Sequence, residues 1–270
     1  MKKKVLAVII AVSMSLAMAA CGNANQAGTQ ESSSETVESV AESTEETESV
    51  VEESSEESTE EAENQDVMTY AEYAAAAVDD PVVIEAYVQA NQSWWDGKIT
   101  VYAQDEDGAY FLYNMACESQ EEADKLVPGT KIRVSGFKAE WSGEIEIADA
   151  TYEIVDGDSF IAQPVDVTEL LGTDELIEKQ NQLVAFKGMT VESEALYKWD
   201  GSGAEGDDLY FNVSVNGNTY TFTVESYLCG ADTEVYKAVK DLKAGDVVDL
   251  EGFLYWYEGV NPHITSVTVK

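Results

Sequence analysis

The chain has 270 residues, of which 53 are acidic and 15 are basic, so its formal net charge is −38. Most non-specific affinity for nucleic acid comes from clustered lysine and arginine side chains that replace counterions on the phosphates. A chain this acidic disfavours such contacts. From composition alone we therefore expect nucleic acid to be a disfavoured partner.

Residues 1–20 have the pattern of an export signal, because three lysines at positions 2–4 precede an apolar stretch too short to span a membrane comfortably. The following motif MAAC, from Met18 to Cys21, resembles the lipobox of bacterial lipoproteins, although Met is less usual than Leu at its first position. The resemblance implies acyl chains on Cys21 that hold the protein at the extracellular face of a bacterial cell membrane. The alternative is an ordinary signal peptide cleaved near Ala20.

The next segment, residues 21–66, consists of Cys21 and a predicted tether. From Ala24 to Asp66 the chain carries fifteen acidic residues, no basic residue and no aromatic residue. It cannot bury enough apolar surface to fold, and its like charges repel one another. We predict a disordered tether that could reach on the order of 140 Å at about 3.3 Å per residue.

An internal repeat defines the rest of the chain. The segment LVPGTKIRVSGF from Leu126 to Phe137 recurs as LKAGDVVDLEGF from Leu242 to Phe253, and a strand-like run ends at a cysteine in each copy, Cys117 and Cys229. The repeat predicts two tandem modules, which we place at residues 67–157 and 158–270. Each cysteine is expected to fill a similar buried position in its own module.

Within each module the periodicity indicates three strands, a short helix and two further strands. In the first module the strands are predicted near residues 82–90, 99–104, 109–115, 131–137 and 144–155, with a helix at 118–126. In the second they are predicted near residues 183–191, 209–215, 219–225, 247–255 and 264–269, with a helix at 233–242. A helix-like lead, residues 69–78 or 167–179, should close one end of each module.

This order is that of the OB-fold, a five-stranded Greek-key barrel. We therefore predict an all-β protein with short helices, built as two tandem OB-fold-like barrels after the tether. Here the chain resembles bacterial cell-surface lipoproteins with tandem OB-folds. The resemblance covers residues 67–270 and implies a fold, but no catalytic residue.

The five tryptophans all fall in the two loops that flank the ligand face of an OB-fold, between strands one and two and between strands four and five. Exposed aromatic rings there could contact a sugar or a peptide, or could instead pack their own loops. The candidate ligand-binding residues are Trp94, Trp95, Lys131, Arg133, Trp141, Trp199, Tyr255, Trp256 and Tyr257.

Signals for an enzyme are poor. His263 is the single histidine and is expected to lie at a barrel rim without a partner, and the sequence has no nucleophile elbow or HExxH motif. We predict a non-catalytic binding module for a glycan or peptide, with no cofactor and no metal. The alternatives are single-stranded nucleic-acid binding and a hydrolase that uses an unrecognised carboxylate pair such as Glu140 and Glu144.

Lipidation of Cys21 can be tested directly. We expect Cys21→Ser to move the protein from the membrane fraction into the medium, because the acyl chains would be its anchor. The measurement is fractionation combined with metabolic labelling by a fatty acid. Equal labelling of the wild type and the variant would show that Cys21 is not the lipidated residue.

Overall fold

The computed structural model describes residues 66–270, so the signal peptide, Cys21 and almost all of the tether lie outside the described residues. Within this range no helix is both long and apolar enough to cross a membrane. The described chain forms two closed β-barrels, which confirms the predicted fold class.

The first barrel contains five strands and two short helices. In chain order these are α1 (Tyr70–Ala75), β1 (Pro81–Asn91), β2 (Lys98–Gln104), β3 (Ala109–Ala116), α2 (Gln120–Ala123), β4 (Lys131–Trp141) and β5 (Glu144–Ile154). The barrel closes in the order β1-β2-β3-β5-β4, with a parallel pairing only between β3 and β5. This is the strand arrangement of an OB-fold.

The second barrel repeats this plan with two added two-residue strands. Its elements are β6 (Val165–Asp166), 3-10 turns at Thr168–Leu170 and Leu176–Lys179, β7 (Leu183–Val191), β8 (Leu196–Tyr197), β9 (Leu209–Val215), β10 (Asn218–Val224), α3 (Glu234–Asp241), β11 (Val247–Phe253) and β12 (His263–Val269). A pairing between β7 and β9 closes the barrel, and β10 pairs in parallel with β12.

The lead segments pack against the barrels as expected, but in different conformations. In the first barrel, α1 begins with a capping box between Thr69 and Glu72 and buries Tyr73 in the core. Lys138 of β4 secures the other end of α1, because its Nζ donates to the carbonyl oxygens of residues 73, 74 and 76 at 3.1, 2.9 and 2.8 Å. In the second barrel, the predicted helix is replaced by the two 3-10 turns, which bury Leu176.

The two glycines of the repeat have distinct structural roles. Gly129 and Gly245 adopt positive φ values of 89° and 93° at the turn before the fourth strand of each barrel. Gly136 and Gly252 lie beside register shifts in the fourth strand, where the fifth strand approaches closely. A Cβ atom on Gly252 would lie 2.2 Å from the carbonyl oxygen of His263, so no larger residue fits there.

The last residue of the repeat differs between the copies. Phe137 in the first barrel is 46% exposed, whereas Phe253 in the second is 3% exposed and packs on the outside of the first barrel with Tyr102 and Phe111. This small apolar cluster is separate from both barrel cores. It joins the two barrels along a surface that we call the junction.

The close approach at Gly252 predicts a large effect of a single methyl group. We expect Gly252→Ala to lower the free energy of unfolding by about 3 kcal/mol, because neither strand can move without breaking the barrel. Gly217→Ala is the control, since Gly217, unlike Gly252, has positive φ but has open space around it, and it should cost only about 1 kcal/mol. Denaturant titration compares the two, and equal losses would contradict the steric explanation.

Candidate functional site

The ligand face of an OB-fold is the outer surface of its second and third strands. In the first barrel this surface is part of the junction. The ring of Tyr102 on β2 stacks on Phe253 with centroids 4.2 Å apart and planes at 8°, and Phe111 on β3 meets the edge of Tyr255 at 5.3 Å. The second barrel therefore covers Tyr102 and Phe111 on the ligand face of the first, while Tyr113 of β3 remains 44% exposed.

Hydrogen bonds between the barrels surround this aromatic contact. The Trp256 backbone N–H donates to Oε2 of Glu144 at 2.8 Å, and the Leu183 N–H donates to Oε1 of Gln104 at 3.0 Å. Gln180 bonds both to the Ile145 N–H and to the Gly143 carbonyl oxygen. These bonds satisfy backbone groups at the ends of strands, so the junction is a specific contact as well as an apolar one.

The titratable groups buried at the junction include Glu144, Glu225 and His263. Burial raises the pKa of Glu144 to about 9 and that of Glu225 to about 7, because desolvation disfavours a carboxylate. Burial lowers the pKa of His263 to about 3, and its Nδ1 lies 2.8 Å from the hydroxyl oxygen of Tyr102. At neutral pH the imidazole is therefore uncharged.

The corresponding outer surface of the second barrel is not covered by the first barrel. Alternate residues of β9 and β10 point outward in three directly opposed pairs. These six residues, which we call the β9–β10 face, are Tyr210, Asn212, Ser214, Thr219, Thr221 and Thr223. Thr223 is only 1% exposed, so the other five residues form the accessible part of the face. None of the six carries a charge, although the chain as a whole is strongly acidic.

Side-chain hydrogen bonds order this face. The Thr221 hydroxyl donates to Oδ1 of Asn212 at 2.8 Å, and the Thr223 hydroxyl donates to Oδ1 of Asn261 at 2.7 Å. At one edge the Ser214 hydroxyl donates to the carboxylate of Glu192. The face thus offers hydroxyl and amide groups in fixed positions, with acidic side chains only at its margin.

Exposed aromatic residues lie in the two loops that flank this face. Trp199, in the loop between β7 and β9, is 76% exposed, and Tyr257, in the loop between β11 and β12, is 49% exposed. Burial raises the pKa of Tyr210, and the nearby groups that add to this include Asp208 and Tyr257. Tyr257 is therefore close to the β9–β10 face.

The predicted site residues of the first barrel do not form one surface. Trp94 is half-buried against the core, and its Nε1 donates to the Cys117 carbonyl oxygen at 2.9 Å. Trp95 and Trp141 are exposed. Lys131 and Arg133, which the sequence suggested as ligand-binding residues, both form ion pairs with Glu85, with N to O distances of 2.6 and 2.9 Å.

The predicted site residues of the second barrel are divided between two environments. Tyr255 stacks on His263 at 4.3 Å, and Trp256 packs against the second core and beside Gly143. Both belong to the junction. Trp199 and Tyr257 remain accessible beside the β9–β10 face.

The structure corrects the prediction for His263, which is buried with a partner instead of lying free at a rim. Sequence reasoning also missed the outer residues of β9 and β10. The signal was present, because the alternation in LYFNVSV and NTYTFTV leaves an uncharged polar series on one side of each strand.

No family model matches the chain, and no curated protein matches it. Similar solved structures include a murine DNA-binding protein bound to double-stranded DNA, with 13% identity, a TM-score of 0.34, and 70% of this chain and 98% of that chain covered. The Ifi202 HINa domain with 20 bp double-stranded DNA has 12% identity, a TM-score of 0.34, and coverages of 72% and 97%. A Replication Protein A heterotrimer bound to single-stranded DNA has 12% identity, a TM-score of 0.32, and coverages of 73% and 51%.

Two predictions made from the sequence are wrong. The ligand in each of these similar structures is DNA, which contradicts both the preference for a glycan or peptide and the expectation that nucleic acid is an unlikely partner. The prediction about nucleic acid used the net charge of the whole chain. That sum does not describe a local surface such as the uncharged β9–β10 face. At these TM-scores the similarity assigns no ligand to this chain.

The different positions of the two adjacent tryptophans lead to a prediction about stability. We expect Trp94→Ala to lower the free energy of unfolding by about 3 kcal/mol, because it removes packing and a hydrogen bond. Trp95→Ala should change it by less than about 0.5 kcal/mol, since its ring is 71% exposed. Thermal and denaturant unfolding measure both, and a larger loss for Trp95→Ala would contradict the assignment.

Proposed function

We propose that the protein binds single-stranded nucleic acid on the β9–β10 face. The observation that carries the proposal is the asymmetry between the barrels. The first has its ligand face covered by aromatic side chains of the second, while the second keeps its own face uncovered by the first, uncharged and flanked by the exposed rings of Trp199 and Tyr257. OB-folds bind oligonucleotides at this position.

The chemistry of the face suits bases better than phosphates. Every base has an apolar face that can stack on an aromatic ring, and its edges can exchange hydrogen bonds with hydroxyl and amide groups. The outward side chains of Asn212 and Thr221 supply such groups. The face itself has no lysine or arginine, and Glu192 stands at its edge, so little of the binding free energy can come from counterion release.

We further propose that the chain is a lipid-anchored bacterial surface protein that presents this face outside the cell. The support is the MAAC motif and the acidic segment up to Asp66. An acidic tether would be repelled by anionic lipid surfaces and would hold the barrels away from them.

The proposed site predicts which aromatic residues matter for binding. We expect Trp199→Ala and Tyr257→Ala each to weaken the binding of a labelled single-stranded oligonucleotide by roughly 1 to 3 kcal/mol, because each removes a stacking surface. Fluorescence anisotropy measures the affinity. Trp95→Ala is the matched control, since it removes an exposed ring of the first barrel that does not belong to the β9–β10 face, and it should leave affinity unchanged.

The dependence of this affinity on salt concentration is a second measurement that tests the same proposal. A protein with six to ten phosphate contacts loses roughly 10³- to 10⁵-fold in affinity between 50 and 200 mM salt. We expect less than about a threefold change here. Steep salt dependence would place the site at a cationic surface elsewhere, and no measurable binding of single-stranded DNA or RNA would overturn the proposal.

A further inference from the structure

The junction contains two buried side-chain oxygen atoms that lack hydrogen-bond partners. These are Oε1 of Glu144 and Oδ1 of Asn181, which are buried, and the Asn181 side chain lies within hydrogen-bonding reach of the Glu144 carboxyl group. Glu144 is 0% exposed and Asn181 is 4% exposed. Two buried acceptors without a donor are a costly arrangement.

The other atoms of both side chains are already engaged. Oε2 of Glu144 accepts from the Trp256 N–H at 2.8 Å, and Nδ2 of Asn181 donates to the Ile145 carbonyl oxygen at 3.0 Å. The Asn181 backbone N–H donates to the Leu254 carbonyl oxygen at 2.9 Å. Glu144 therefore connects the first barrel to two segments of the second, and one hydrogen atom would complete the network.

We propose that Glu144 is protonated in the folded protein and donates Oε1–H to Oδ1 of Asn181, so that the junction is a proton-dependent contact that weakens as the pH rises. The proton satisfies both unpaired oxygens and removes the charge that burial disfavours. Deprotonation would leave a carboxylate facing an acceptor inside the junction. The proposal does not depend on the function of the β9–β10 face.

The surroundings of Glu144 contain no compensating positive charge. The titratable groups that face it are Glu146 on the same strand, Tyr73 of α1, Tyr102 of β2 and Tyr255 of the loop after β11, and none of them is a cation. Among residues 66–270 no ion pair involves Glu144. Lys138, the buried lysine, is held by the carbonyl oxygens at the end of α1.

The direction of the pH effect follows from linkage. The ordinary pKa of a glutamic acid is 4.5, and that of Glu144 is about 9 in the folded state. Between these values the folded state keeps a proton that the unfolded state has lost, so raising the pH favours unfolding. The stabilisation is complete below pH 4.5 and is lost as the pH rises towards 9.

The test compares the full-length protein with two variants. Glu144→Gln reproduces the neutral carboxyl, because its amide can donate to Asn181 and accept from Trp256, but it has no proton to lose. Glu140→Gln changes an exposed residue on the neighbouring strand and serves as the control. Chemical unfolding from pH 5 to pH 9 gives the unfolding equilibrium constant of each protein.

We expect the ratio of the wild-type unfolding constant to that of Glu144→Gln to rise about tenfold per pH unit across this range. Titration of Glu225 and His263 occurs in both proteins and cancels in the ratio. Glu140→Gln should show a constant ratio to the wild type. A ratio for Glu144→Gln that does not change with pH, or a Glu144→Gln protein that fails to fold, would overturn the proposal.

Hydrogen exchange at the Trp256 amide locates the effect at the junction. At pH 8, after correction for the intrinsic rate, this amide should exchange faster in the wild type than in Glu144→Gln, and at pH 5 the two rates should agree. Equal protection of Trp256 at both pH values would show that the junction does not respond to the proton, and would also overturn the proposal.

Discussion

The stack of Tyr102 on Phe253 is the contact on which the arrangement of this protein depends. It places an aromatic residue of the second barrel on the surface where the first barrel would otherwise bind a ligand. Once the two rings are stacked, Tyr255 reaches Phe111, His263 is buried against Tyr102, and Glu144 meets the Trp256 backbone. One apolar contact thereby determines which barrel can bind and which groups lose water.

The junction combines apolar burial with polar groups that would be unfavourable alone. Aromatic pairs contribute beyond the area that they bury, roughly 0.5 to 1.5 kcal/mol each. Buried carboxyl groups have the opposite tendency, because a charge without a partner is expensive in a medium of low dielectric constant. The balance is favourable where the carboxyl groups stay neutral or accept backbone N–H groups, as Glu144 and Glu225 do.

The local pattern of the sequence predicted the fold well because core-facing and outward residues alternate along most of each strand. The turn between β2 and β3, in which Oδ1 of Asp105 accepts from the Gly108 N–H, and the glycines of the repeat act over a few residues, so their signals are visible without tertiary information. The junction was not predictable in this way. Phe137 and Phe253 occupy the same position of the repeat, and only the contact between barrels makes one exposed and the other buried.

The candidate site, like the junction, could not be predicted from local sequence patterns. Aromatic residues in loops suggested a shared surface, but the sequence does not distinguish a ring that packs, such as Trp94, from one that remains free, such as Trp199. The net charge was a poor guide to the partner for a related reason, because it sums over all side chains. The outward residues of two strands can be neutral while the loops around them are acidic.

The exposed Phe137 has a consequence for how such barrels can be linked. Each barrel carries a phenylalanine at the same repeat position of its fourth strand, but only Phe253 packs on the outer face of another barrel's second and third strands, so this contact is head-to-tail. In the second barrel most of the corresponding face consists of threonine, serine and asparagine, which offer no large apolar surface to another phenylalanine. The outer face of the second barrel therefore lacks the kind of aromatic surface on which Phe253 packs in the first barrel.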